Sequence, residues 1–265
     1  MFIDKSKKIH IEKEVQPYWV GAFDDQYSDT QRHFLMLGYA LPILTANKAK
    51  KILTIGDSRA RDAAFYKKHI GCYSVASDLS TAHLNQAKMD GYVDDLADVD
   101  VENIPFEDNS FDYVIAKESF HHWPRPMLGF YECLRVSRLG VILIEPSDGV
   151  STIPSNYTNQ NEYHDSYEEV GNYKYQVSLR ELCKAAWALR LPGVTVKGFN
   201  DPYSHPLDME KYLMDKSKLD ALGDANQRPY NLMCICVNKI EYESSNLMDL
   251  GYADIKRPEN PFEGS

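Results

Sequence analysis

Gly56-Asp57-Ser58-Arg59-Ala60-Arg61-Asp62 is a run of small and charged residues that closes one apolar stretch and opens a segment of helical character. Backbone N–H groups and the helix dipole at such a turn favour a negatively charged group. Asp78 follows 22 residues after Gly56, close to the ~20-residue offset at which a carboxylate meets ribose hydroxyls in a nucleoside site. Its competing use is to cap the helical segment that carries Leu84. A third group, Glu118-Ser-Phe-His121-His122-Trp123, holds two histidines, a residue type whose ordinary pKa of about 6.5 suits proton transfer near neutral pH. Adjacent histidines point apart on a strand and about 100° apart on a helix, and the spacing supplies no third ligand, so no metal is expected.

Short apolar runs must position these groups. Ile52 to Ile55 is the first, followed by Arg61 to Ile70 with Ala63, Tyr66 and Ile70 at helical offsets, and then Tyr73 to Ser77 closed by Asp78. Ser80 is expected to cap a helix through Leu84 and Ala87, Phe111 to Ala116 reads as a strand, Leu128 to Arg138 as a helix, and Val141 to Ile144 as a strand. This alternation builds βαβ units around a buried parallel sheet, in which ligands bind at the carboxyl ends of strands. Asp94 to Asp108 reads as an acidic loop. Beyond Glu145-Pro146 comes a polar stretch with Tyr157, Tyr163, Tyr167, Tyr173 and Tyr175, then a capping-box pattern at Ser178 to Glu181. A helix around Met209 to Leu219 and strands at Val194 to Phe199 and Leu232 to Val237 follow.

The chain has 265 residues, 43% of them hydrophobic and 26% charged, the balance of an ordinary globular protein. A net charge of −10 repels phosphate backbones and anionic lipid, so neither nucleic acid nor membrane is expected as a partner. The five cysteines are odd in number and lack zinc or redox spacing, which implies reduced core residues. No stretch of about 18 apolar residues occurs, and a cytoplasmic protein is expected. Homo-oligomer formation is left open.

From Lys51 to Glu145 the sequence resembles the class I S-adenosylmethionine-dependent methyltransferases of the small-molecule group. Ile52-Leu-Thr-Ile-Gly56 is similar to that family's first strand and loop, and Ala76-Ser-Asp78-Leu79-Ser to its second, acidic strand end. Asp100-Val101-Glu-Asn-Ile-Pro-Phe106 is similar to its adenine-contacting segment, Phe111 to Ala116 to its fourth strand, and Glu132 to Glu145 to the helix, turn and fifth strand. The resemblance implies a Rossmann-like α/β fold: a mostly parallel central sheet with helices on both faces and an antiparallel last strand. It implies S-adenosyl-L-methionine as cofactor, held by the loop Gly56, Asp57, Ser58 and Arg59, by Asp78 and Leu79 at the ribose, and by Asp100 and the Val101 backbone at the adenine. Asp98 is a rival to Asp100, and Lys117 would stand beside the methionine end. Thr54 occupies the place of the family's acid two residues before the first glycine, and Ser58 and Ala60 stand where glycines are usual. Arg59 and Arg61 add charge that suits the methionine carboxylate.

Methyl transfer to oxygen needs a base near the end of the fourth strand, and His121 or His122 is placed for it. The expected reaction is O-methylation of a small polar acceptor, such as a sugar or natural-product intermediate. Tyr18, Trp19 and the insertion tyrosines could wall the acceptor, with His164 and Asp165 as further candidates for the base. The alternatives are a non-catalytic or partner-dependent protein of the same fold, and C- or N-methylation. The expected organisation is an N-terminal helical lid over 1–47, a methyltransferase domain over 48–240 with a Tyr-rich insertion at about 148–175, and a polar C-terminal tail over 241–265.

Overall fold

The computed structural model describes residues 7–8, 18–147, 175–241 and 245–259. The alternating runs form strands β1 (Lys51–Ile55), β2 (Tyr73–Asp78), β4 (Phe111–Lys117) and β5 (Ser137–Pro146). Between them lie α3 (Arg61–Ile70), α4 (Asn85–Met89), β3 (Asp95–Asp98) and α5 (Pro126–Val136). Helices α1 (Ser28–Gly38) and α2 (Leu41–Ala46) precede them; α6 (Leu179–Ala188), β6 (Gly193–Phe199), α7 (Met209–Asp224), β7 (Leu232–Asn238), α8 (Ser245–Met248) and β8 (Ala253–Lys256) follow. The eight strands make one sheet in the order β3-β2-β1-β4-β5-β7-β6-β8. The first five named in that order run parallel, while β7 is antiparallel to β5 and β6, and β8 is antiparallel to β6. The parallel part is what the apolar rhythm predicts, and the whole is the Rossmann-like arrangement that the resemblance implies.

The strands are apolar on both faces because both are covered. Leu53, Ile55, Val114, Ala116, Val141 and Leu143 face one core with Phe130, Leu182 and Ala186 from α5 and α6. Ile52, Tyr113, Ile115, Ile142 and Ile144 face the other with Met36, Leu37, Ile43, Leu44, Phe65 and Tyr66 from α1, α2 and α3. Each large apolar side chain so enclosed contributes about 1.5–3 kcal/mol. The described part of the N-terminal segment is therefore part of the main core. All five cysteines are buried thiols.

Three elements depart from the sequence reading. The acidic stretch expected as a loop contains β3, whose Val75↔Asp95 to Asp78↔Asp98 register makes it the edge strand. Ser80 does not start a helix: a 3-10 turn at Ala82–Leu84 intervenes and α4 begins at Asn85. In the segment expected as a polar tail, Leu247 and Tyr252 are buried and β8 extends the sheet, pairing Val194 with Ile255. The Tyr157, Tyr163, Tyr167, Tyr173, His164 and Asp165 expectations lie outside the described residues. No helix among the described residues is long and apolar enough to cross a membrane.

Candidate active site

The chain runs from β1 outward to β2 and β3, then returns to β4 on the other side of β1, so the sheet has its switch point between β1 and β4. Ile55 registers with Ser77 and with Ala116, which brings Gly56, Asp78 and Lys117 to one edge. Gly56 has φ +70° and a Cβ there would lie 2.6 Å from Ser119 Cβ, so glycine is required by the neighbouring loop as well as by the turn. Ala60 also takes the left-handed region at φ 56° and is fully buried, a conformation that favours the glycine usual in the family.

The Asp57 carboxylate, expected to meet the cofactor, is used inside the loop. It accepts N–H bonds from Asp62 (3.2 Å) and Ala63 (2.9 Å) at the start of α3 and the Thr54 hydroxyl (2.9 Å). The Ser58 carbonyl lies 2.9 Å from His83 Nε2, and the Arg59 guanidinium lies over the Trp19 ring at 5.2 Å. Arg61 Nη1 donates to Asp29 at 3.2 Å.

A cavity of about 160 Å³ opens above this loop, lined by His33, Gly56 to Arg59, Arg61, Asp62, Lys117 and Glu118. Lys117 is buried and donates to His33 Nδ1 (2.9 Å) and Glu118 Oε2 (3.1 Å). Burial pushes His33 down to about 3, with Lys117 adding to the effect, so its imidazole is neutral and accepts from the lysine. Glu118 takes φ +49°, a strained value for a non-glycine residue. Burial alone would raise its carboxyl, but Lys117, His33 and Arg32 outweigh that and hold it at about 2. Asp62 is 7% exposed, and its carboxylate accepts no hydrogen bond from any described residue. Burial pushes it up to about 7; Asp57 adds to the rise while Lys117 and Arg61 oppose it.

At the β2 and β3 ends, Asp78 is nearly buried and accepts the Leu79 N–H at 2.7 Å, while its carbonyl receives the Val99 N–H. Asp98 accepts from both the backbone and the hydroxyl of Thr81, so it ties the loop after β2 to β3. Asp100 accepts the Glu102 N–H (3.1 Å) and Lys7 Nζ (2.5 Å). A cation of the chain itself thus stands on the carboxylate expected to meet the adenine amino group. Val101 is buried; its side chain lies among Gly129 and Trp123.

At the β4 and β5 ends, Phe120–His122 forms a 3-10 turn. Glu145, fully buried at the end of β5, accepts the backbone N–H groups of Ser119 (2.7 Å) and Phe120 (2.8 Å) through one oxygen. Its other oxygen lies 2.7 Å from His121 Nδ1. In this contact Nδ1 carries a proton and donates it to the carboxylate. The two histidine rings do not point apart as expected: their centroids are 4.1 Å from one another. Tyr175 packs against Phe120 and its N–H reaches the His121 carbonyl at 3.3 Å, which brings one insertion tyrosine to the site. Tyr18 instead donates its hydroxyl to Asp90. No group of three or more possible metal ligands occurs among the described residues.

Glu145, Asp62, His33 and Glu118 were not singled out from sequence. A carboxylate that ends an unbroken apolar run, as Glu145 does after Val141 to Ile144, was the available signal.

Comparison with known proteins follows the same outline. Residues 53–144 match the family model described as a methyltransferase domain. No curated protein matches the chain in sequence. Among solved structures, a complex containing the Haloferax volcanii Trm112 methyltransferase activator matches at TM-score 0.55 and 13% identity, over 80% of this chain and 92% of that one. The Burkholderia thailandensis 1,6-didemethyltoxoflavin-N1-methyltransferase, solved with S-adenosylhomocysteine, matches at TM-score 0.55 and 13% identity, over 91% and 89%. A SAM-dependent methyltransferase from Archaeoglobus fulgidus matches at TM-score 0.52 and 16% identity, over 83% and 100%. Residues 53–144 thus carry a methyltransferase domain on the strand order of a Rossmann-like sheet, and the cofactor that the resemblance implies is S-adenosyl-L-methionine.

The residues present fit that cofactor at its amino-acid end. The cavity beside Gly56 offers a carboxylate that meets no donor among the described residues and the cations Arg59, Arg61 and Lys117, a set that suits a group carrying both an ammonium and a carboxylate.

Proposed function

We propose that the protein methylates a hydroxyl oxygen of a small polar acceptor, such as a sugar or natural-product intermediate, with His121 as the general base. The observation that carries this reading is the 2.7 Å contact between His121 Nδ1 and the buried Glu145 carboxylate at the ends of β4 and β5. The bound cofactor supplies an electrophilic methyl group on a sulfonium. The protein's part is to hold the acceptor in line and take its proton. His121 Nε2 is the atom for that proton, and Glu145 stabilises the imidazolium that results. Asp78 holds the ribose hydroxyls in this reading, and Lys117 and the Gly56 loop border the methionine portion.

A panel of hydroxylated acceptors assayed with labelled S-adenosylmethionine tests the reading. Wild-type transfer to oxygen that collapses in His121→Ala supports it. Transfer to nitrogen or carbon that survives His121→Ala replaces it with the alternative chemistry. A second reading, a partner-dependent enzyme, is favoured by Lys7 on Asp100, because that cation must leave before Asp100 can meet an adenine. Activity that appears only when a second protein is added would establish it.

A further inference from the structure

Three carboxylates cluster around the turn from β1 into α3, and they are not equivalent. Where the family resemblance calls for an acid on the first strand, this chain has Thr54, which is buried and donates its hydroxyl to Asp57 at 2.9 Å. Asp57 is occupied by that hydroxyl and by the N–H groups of Asp62 and Ala63. Glu118 is surrounded by Lys117, His33 and Arg32. Asp62 alone among the three has neither a donor nor an ion pair from a described residue, although it is 7% exposed and borders the cavity.

A carboxylate that is largely buried, reaches only the cavity and meets no donor from a described residue is poorly compensated for its lost hydration. The charged groups facing Asp62 do not relieve it. Lys117 directs its ammonium to His33 and Glu118, and Arg61 directs Nη1 to Asp29. What is missing is a compact cation with several N–H donors.

We propose that Asp62, on α3, is the acceptor for the α-ammonium of the cofactor's amino-acid portion, in place of the acid that the resemblance implies at Thr54. The assignment rests on the methyltransferase reading above and deepens it. The substitution of Thr for the family's acid is then not a loss of binding but a transfer of charge from β1 to the first turn of α3. Asp57 is retained because it fixes the turn that presents Asp62: it receives the Asp62 N–H at 3.2 Å. Arg59 and Arg61, which also line the cavity, supply the charge for the carboxylate end. Ligands with an α-amino group are thereby distinguished from nucleosides that lack one.

Titration calorimetry on the full chain tests this with two ligands, S-adenosylhomocysteine and 5′-methylthioadenosine, which lacks the amino-acid portion. Asp62→Asn keeps the side-chain volume and removes the charge. The expected result is at least a tenfold loss of affinity for S-adenosylhomocysteine, a change of less than twofold for 5′-methylthioadenosine, and an unchanged or higher melting temperature. Asp62→Glu should recover part of the loss. If the wild type binds both ligands and Asp62→Asn shifts neither, or weakens both equally, the assignment is overturned while the methyltransferase reading stands. If the wild type binds neither ligand, the methyltransferase reading fails and this one falls with it.

Discussion

Glu145 and Asp62 are both buried carboxylates at the carboxyl edge of the sheet, and their surroundings are opposite. Glu145 is enclosed by two backbone N–H groups and an imidazole, whereas Asp62 meets no donor from any described residue. A satisfied buried acid holds its neighbours in place; one that meets only a cavity remains open to a donor from outside the chain. In the proposed reading the contrast separates a scaffold for the base from a receptor for the cofactor within one edge of one sheet.

The most severe way to probe the contrast is to remove what Glu145 holds. His121→Ala should lower kcat for an oxygen acceptor by about 100- to 10,000-fold, with little change in S-adenosylhomocysteine affinity; unchanged kcat would end the role of His121 as base. Glu145→Ala leaves two buried N–H groups and a part-buried imidazole unanswered and should cost about 3–5 kcal/mol of stability in urea titration. A loss under about 1 kcal/mol would show that water readily replaces the carboxylate.

Asp62→Asn should act in the other direction. The native pKa of Asp62, at about 7 through burial, lies above its ordinary value, so between about pH 4 and 7 the native state binds a proton that the unfolded chain has released. Stability from this group therefore falls as pH rises through that window, and the variant escapes the fall. Its melting temperature should exceed that of the wild type by about 2–4 °C per kcal/mol gained at pH 8, with the difference vanishing near pH 4. A variant less stable at pH 8 would contradict the picture of an unmet carboxylate. The smallest effect is expected at the other end of the nucleoside. Lys7→Ala frees Asp100 from a partly exposed pair and should tighten 5′-methylthioadenosine binding by about threefold, the scale of such pairs. No change would reduce Asp100 to a partner of Lys7.

Much of this fold was legible because β1, β4 and β5 are buried on both faces and so read as mainly apolar runs, while β2 carries Ser74 and Ser77 within its buried stretch. β3 was not, because an edge strand of four residues that begins and ends in aspartate carries no apolar run. Ser80 lost its expected capping role because Thr81 is drawn to Asp98, a pairing between elements that local spacing does not reveal. Within the site, Asp78, Lys117 and His121 were placed by their positions after strands. Glu145 and Asp62 matter through what surrounds them, one enclosed by donors and the other by none, and such surroundings exist only once the chain is folded. The Thr54 substitution was visible, but its counterpart lies eight residues later on another element.

Ser119 joins the two halves of this edge. Its hydroxyl donates to the Ile55 carbonyl, its N–H to Glu145, and its Cβ occupies the space above Gly56. One serine thus rivets the nucleotide-side turn to the turn bearing the imidazole. Displacing either turn without the other would break these contacts, so the two are coupled through one side chain.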